Sequence, residues 1–151
     1  MEHKAISEQM LIEHEMLSHL ESALRALLQW TSRGQDLSRK LSSLRFMTES
    51  FQRHLEHLMA LEEDDGYMEV VRECRPEFTS QVDALRTEHD DFRRRLRRAA
   101  ARLERLSTSD VEHCEQVSQE LGALLEKIDA HSRKEVDLLQ RSLLQEEGGP
   151  D

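Results

Sequence analysis

Five ionisable side chains stand where a helical core would ordinarily place apolar ones: His14, Glu62, His89, His131 and Glu135. Each lies on a stripe of apolar residues recurring every three or four positions, the mark of a helix face turned inward. Imidazole and carboxylate groups are natural ligands of divalent transition metals. His131 and Glu135 are one helical turn apart, so both can face one ion. Burying such groups unpaired costs several kcal/mol, and a bound metal ion offsets that cost. A single histidine on a core stripe is ordinarily a hydrogen-bonded core residue. Five such groups together make metal ligation the expected chemistry.

The elements that must carry them are helices. Of 151 residues, 34% are charged and 4% aromatic, with only five glycines and two prolines. A chain rich in Leu, Glu, Arg and Ala favours long helices over sheets. Few breakers interrupt the pattern. Gly34 is placed to end a first helix, Pro76 to open a new one, and Ser109 with Glu112 forms a capping-box pattern. Four helical segments follow, roughly 4–31, 37–73, 77–106 and 110–145. Their short connections predict an all-α, up-down-up-down antiparallel four-helix bundle, a single domain over residues 1–151. The stripes run Ile6, Met10, His14, Leu17, Leu24, Leu28; then Leu44, Met47, Phe51, Leu55, Leu58, Glu62; then Val82, Leu85, His89, Phe92, Leu96, Leu103; then Val117, Leu121, Leu124, Ile128, His131, Glu135, Leu138. Measured from one end of such a bundle, His14, Glu62, His89 and Glu135 all fall ~15–18 Å in, at ~1.5 Å per residue, with His131 one turn higher.

The remaining chemistry is sparse. The net charge of −10 argues against a nucleic-acid binder. The basic run "FRRRLRRAAARLERL" is expected on an outer face, paired with acidic neighbours. Cys74 and Cys114 lie near opposite ends of the bundle, so no intrachain disulfide is expected. Trp30 is expected to plug the core at the end of the first helix. His3 and His19 are expected at the surface, and His113 shares a face with His131 but lies ~27 Å along the helix from it. No apolar run approaches the ~20 residues of a membrane span, and "MEHKAISEQM" lacks the apolar segment of a signal peptide. A cytoplasmic protein is expected.

The two halves of the chain echo each other. "EHEML" (13–17) aligns with "EHDDF" (88–92), matching His14 to His89. "LMALE" (58–62) aligns with "HSRKE" (131–135), matching Glu62 to Glu135 and Leu58 to His131. Each half of a pseudo-twofold site would then give one histidine, followed by a histidine and a glutamate one turn apart. Two metals bridged by carboxylates fit that symmetry, and position 58 is where one half is incomplete.

In these segments the chain resembles the hemerythrin family, specifically the bacterial HHE cation-binding domains. "IEHEML" resembles the family's first-helix histidine segment, and "LEEDDGYMEVVRECRPEFTSQVDALRTEHDDF" resembles its second helix, turn and third-helix histidine. "LLEKIDAHSRKEVDLLQ" resembles the closing His-x-x-x-Glu helix. The resemblance covers nearly the whole chain. It implies a non-haem di-iron centre that binds or senses O2, NO or iron, with His14, Glu62, His89, His131 and Glu135 as iron ligands. Leu58 departs from the family, which has histidine there; Glu63, His54, His57 or a water are the candidates to compensate, and a centre with one ion or none is the alternative.

The leading expectation is therefore a hemerythrin-like iron protein that binds or senses rather than catalyses. It would have a small diatomic ligand, no nucleic-acid or membrane partner, and a protein partner if it is a sensor. The second is a metal-poor bundle serving as an interaction module. A ferritin-type di-iron oxidase would need Glu-x-x-His pairs on the core stripes. The residues three before His89 and His131 are Arg86 and Ile128.

Overall fold

In a computed structural model, residues 2–30 and 35–144 are described. Four long helices form the bundle: α1 (Glu2–Gln29), α2 (Gln35–Glu63), α4 (Thr79–Arg105) and α5 (Val111–Leu139). A short helix, α3 (Tyr67–Cys74), lies between α2 and α4 and is followed by a 3-10 turn, Pro76–Phe78. α1 packs against α2 and α5, and α4 packs against the same two, closing a four-membered ring around one core. The all-α four-helix architecture is the expected one, and the described residues contain no strand. Of the core stripes, only Ile6, Leu28 and Met47 are half-buried; every other residue is buried. Periodicity of 3.6 residues fixes which side chains share a face, so these faces follow directly from the sequence.

Several expected boundaries differ. The second helix does not run to 73. It stops at Glu63, and the chain turns through Asp64, Asp65 and Gly66 before α3 begins. Asp65 takes a left-handed conformation at φ 56°, which Asp tolerates better than most residues. At Gly66 a Cβ would sit 2.0 Å from the Leu61 carbonyl oxygen and 2.6 Å from that of Glu62. Only glycine fits so close to the backbone of the preceding turn. This corner swings Tyr67, Met68 and Val71 into the core, where all three are buried. At the start of α5 the N-cap is Asp110, not Ser109, and its carboxylate accepts from the Ser107 backbone N–H at 3.0 Å. Pro76 opens the 3-10 turn. Gly34 lies outside the described residues.

At the far end of α5 the chain loosens into a π-turn, Gln140–Leu144, which packs on α1. Arg75 Nη1, just past α3, donates to the Ser142 carbonyl at 3.2 Å and ties this turn to the corner. Trp30 is exposed rather than a core plug, because the chain leaves the helix one residue earlier. The arginines of α4 do pair with acids: Arg94 and Arg95 with Asp91, Arg97 with Glu56, Arg102 with Glu120. Exposed pairs of this kind contribute little to stability. Cys74 is exposed, Cys114 is buried, and both are free thiols. No helix among the described residues is long and apolar enough to cross a membrane.

The corner makes a direct prediction. Gly66→Ala forces a methyl group against two carbonyl oxygens, so the α2–α3 connection must shift. Chemical denaturation should show a loss of roughly 2–3 kcal/mol, as for other strained backbone positions. A loss below a few tenths would mean the corner yields freely.

Candidate metal centre

All five expected ligands are buried and converge in one layer of the core. Two groups of ligand atoms form there, each with its atoms within 4.8 Å of one another: His89, His131 and Glu135, and His14, Glu62 and Glu135. Glu135 belongs to both. His14 Nε2 lies 3.1 Å from Glu62 Oε2 and 3.8 Å from Glu135 Oε1. His89 Nε2 lies 3.6 Å from Glu62 Oε1 and 3.7 Å from Glu135 Oε2. His131 Nε2 approaches Glu135 Oε1 to 2.7 Å across one turn of α5. Two atoms bound to one ion at ~2.1 Å, at angles of 90–110°, are about 3.0–3.4 Å apart. The observed separations bracket that range.

The pattern of hydrogen bonding points the same way. His89 Nε2, His131 Nε2 and Glu62 Oε1 are buried without a well-formed hydrogen bond. His131 Nε2 and Glu135 Oε1 are close as an ion pair. Orphaned buried polar atoms cost roughly 1–3 kcal/mol each. Here all three belong to the two ligand groups, where a cation would satisfy them together. The residues present therefore fit a bound metal ion.

The outer nitrogens of two histidines are held by carboxylates. Glu63 Oε2 accepts from His89 Nδ1 at 3.1 Å, and Glu88 Oε2 accepts from His131 Nδ1 at 2.7 Å. With the proton on Nδ1, each ring presents the lone pair of Nε2 to the centre. Such outer carboxylates fix the tautomer and raise ligand basicity, and losing one typically costs about 10–100-fold in metal affinity. Both carboxyls stay below the ordinary carboxylate range. Burial opposes this, but Arg93 with His89 outweighs it at Glu63, and Lys134 with His131 outweighs it at Glu88. Glu63 therefore does not replace the missing ligand: it follows Glu62 on α2, about 100° around the helix, and reaches His89 from outside. His54 approaches Glu13 at 3.6 Å, and His57 is exposed. Neither joins a ligand group. Leu58 remains a buried leucine, 1% exposed.

Tyr67 is the functional residue that the pattern of core stripes missed. Its side chain is fully buried, and its hydroxyl donates to Glu135 Oε2. Burial, then the charges of Glu135 and Glu62, push the phenol well above its ordinary range, so it remains a donor. The sequence signal was there in "DDGY", a turn tetrapeptide inside a helical run, but only the corner's geometry aims the ring inward.

The charges sort themselves. Burial raises Glu62 well above the ordinary carboxylate range, and repulsion from Glu135 adds to it. Burial works against Glu135 too, but His131 and His89 hold it well below that range. Burial lowers His14, and the neighbouring imidazoles His131 and His89 assist. Burial disfavours charge on His131 as well, yet Glu135 and Glu88 raise it. Without metal, Glu62 is therefore the carboxyl that takes up a proton more readily, and Glu135 the one that holds its negative charge. Metal binding displaces such protons, which makes affinity rise with pH.

A carboxyl raised in the folded state contributes stability below its ordinary value of 4.5 and loses it as pH rises through the raised value. Glu62→Gln removes that loss while keeping a donor for His14. The metal-free variant should be more stable than wild type near pH 7.5, with the difference shrinking as pH falls towards 4.5. Thermal melts of both proteins across this interval, in chelator, check the sign. A variant less stable at neutral pH would contradict the assignment of the proton.

Comparison with known proteins accords with this centre. No curated protein and no solved structure was found to match the chain. The model of the hemerythrin HHE cation binding domain matches residues 5–143, which span all five candidate ligands and both outer carboxylates. The chain belongs to the hemerythrin HHE cation-binding family.

Proposed function

We propose that the protein holds non-haem iron between His14, Glu62, His89, His131 and Glu135, and that it binds or senses a diatomic molecule or iron itself rather than turning over a substrate. The observation that carries this reading is the pair of buried ligand groups sharing Glu135, with His89 and His131 each held from outside by a carboxylate. The two halves are unequal. His89, His131 and Glu135 form a two-histidine, one-carboxylate set of the kind that holds ferrous iron with open positions. His14, Glu62 and Glu135 form a poorer one-histidine set, because Leu58 stands where the family has a ligand. Bound iron would supply the open coordination positions to which O2 or NO attaches.

The protein's own groups prepare the rest. Glu135 can serve both halves, because its Oε1 lies near His131 of one and His14 of the other, and its Oε2 near His89. Tyr67 holds Glu135 in place and keeps a proton within the centre. Phe92 packs edge-on against the His131 ring at 5.1 Å, and Leu58 adds an apolar side chain to the same core. Fully buried surroundings of this kind exclude water from the ligands.

Leu58 also favours a second reading, a bundle that has lost its metal and acts as an interaction module. Iron binding separates the two. A ligand that binds only the folded state must raise its melting temperature. Saturating Fe2+, without oxygen, should raise the melting temperature of the wild-type protein, and protein purified from iron-replete cells should contain iron. No iron and an unmoved melting temperature would establish the module instead.

The weaker half makes its own prediction. Leu58→His restores a ligand one turn before Glu62, so it should increase the iron content per chain and strengthen the ultraviolet absorption of ferric iron. Iron content equal to that of wild type would show that position 58 does not limit the second ion.

A further inference from the structure

A groove of about 430 Å3 lies between α1 and α5 and reaches one of the five buried residues. Its walls include Leu11 and Glu15 of α1 with Arg133, Val136 and Asp137 of α5, and its lining includes His14. His14 is 7% exposed, against 0–2% for the other four ligands. The neighbouring groove between α4 and α5, by contrast, is lined by Glu88 and by none of the five.

His14 also differs in how it is held. Glu63 and Glu88 fix the outer nitrogens of His89 and His131, but the Nδ1 of His14 is buried without a partner. No hydrogen bond holds its ring on that side, so turning it breaks fewer polar contacts than turning His89 or His131 would. The charges at the mouth suit a cation. Arg133 is paired with Asp129 and Asp137 with Arg141, each one turn apart on α5. Glu15, exposed beside them, has no ion-pair partner among the described residues and leaves the groove net negative.

We propose that divalent metal ions reach and leave the centre through the α1–α5 groove, with His14 as the ligand that turns aside to let them pass. This rests on the metal reading above. An obstacle on a route slows loading and release by the same factor and leaves the dissociation constant unchanged, whereas damage to a ligand weakens binding. Co2+ is a suitable probe, because its visible bands report binding without redox change. Leu11→Trp, which fills the groove without replacing a ligand, should slow Co2+ loading and its release to EDTA alike by about tenfold or more, with affinity unchanged. Glu15→Lys, at an exposed site where misfolding is not at issue, should slow loading at low ionic strength, with the effect lost at high salt. Ala123→Trp, which fills an unrelated groove between α4 and α5, serves as control and should load as wild type does.

Unchanged rates in Leu11→Trp and Glu15→Lys would overturn the route, as would equal slowing in Ala123→Trp. Weaker affinity without matched changes in both rates would overturn it too. A wild-type protein that takes up no Co2+ at all would sink the metal reading, and the route with it. Binding by wild type with an unaffected Leu11→Trp would sink the route alone.

Discussion

The carboxylate of Glu135 is the point on which the interior of this protein depends. It is fully buried on α5, and it faces His14 from α1, His89 from α4, His131 from its own helix and Tyr67 from the corner segment. An isolated carboxylate in such a place would take up a proton. Glu135 instead stays ionised because imidazoles and a phenol surround it. The second carboxylate, Glu62, cannot do the same beside it, and it takes the proton. Two acids a few ångströms apart in a dry core thus divide into one charged and one neutral group. A divalent cation between them removes the conflict. The polar layer is costly as a fold element and favourable as a ligand set.

Around that carboxylate the structure is built in shells. The inner set faces the centre, and the outer set of Glu63, Glu88, Arg93 and Lys134 connects it to the surface. Rotation around a helix separates the two shells. Glu62 and Glu63 are neighbours in sequence but differ by about 100° in direction, so one faces inward and the other reaches His89 from behind. Glu88 and His89 divide in the same way on α4. The dense charge of α4 and α5 therefore serves two ends: some of it pairs on the exterior, and some orients the ligands. His14 is the exception, a ligand with its outer nitrogen unsupported, on the side where the bundle opens.

The departure at Leu58 gives the centre its asymmetry. In the aligned half, His131 completes a set of two imidazoles and one carboxylate. In the other half the corresponding position is a leucine packed in the core. None of the nearby histidines replaces it. His54 turns towards Glu13, and His57 faces solvent. Tyr67 enters the layer from the corner instead, and its hydroxyl supports the shared carboxylate. The pseudo-twofold relation read between the halves of the sequence thus fails at position 58.

Much of this was legible from the amino-acid sequence. Helical periodicity is a local property, so the four stripes, their polar exceptions and the common height of those exceptions could be read along the chain. The burial of the five ionisable residues and the all-α bundle follow from it. What the chain's order of residues did not disclose was direction at the ends of helices and beyond the first shell. "EEDDGY" sits inside a long helical pattern and carries only a local turn signal, yet the chain breaks there, with Gly66 close against the backbone of α2 and Tyr67 turned inward. Glu63 and His54 could be placed near the centre by spacing, but whether they face the ion or its ligands depends on the angle of packing between helices. Trp30 carries the apolar character of a core residue, yet it sits where the chain leaves the bundle. Residue types and their period determined which groups are buried together. Tertiary packing decided which of them meet, because a rotation of one residue around a helix redirects a side chain by about 100°.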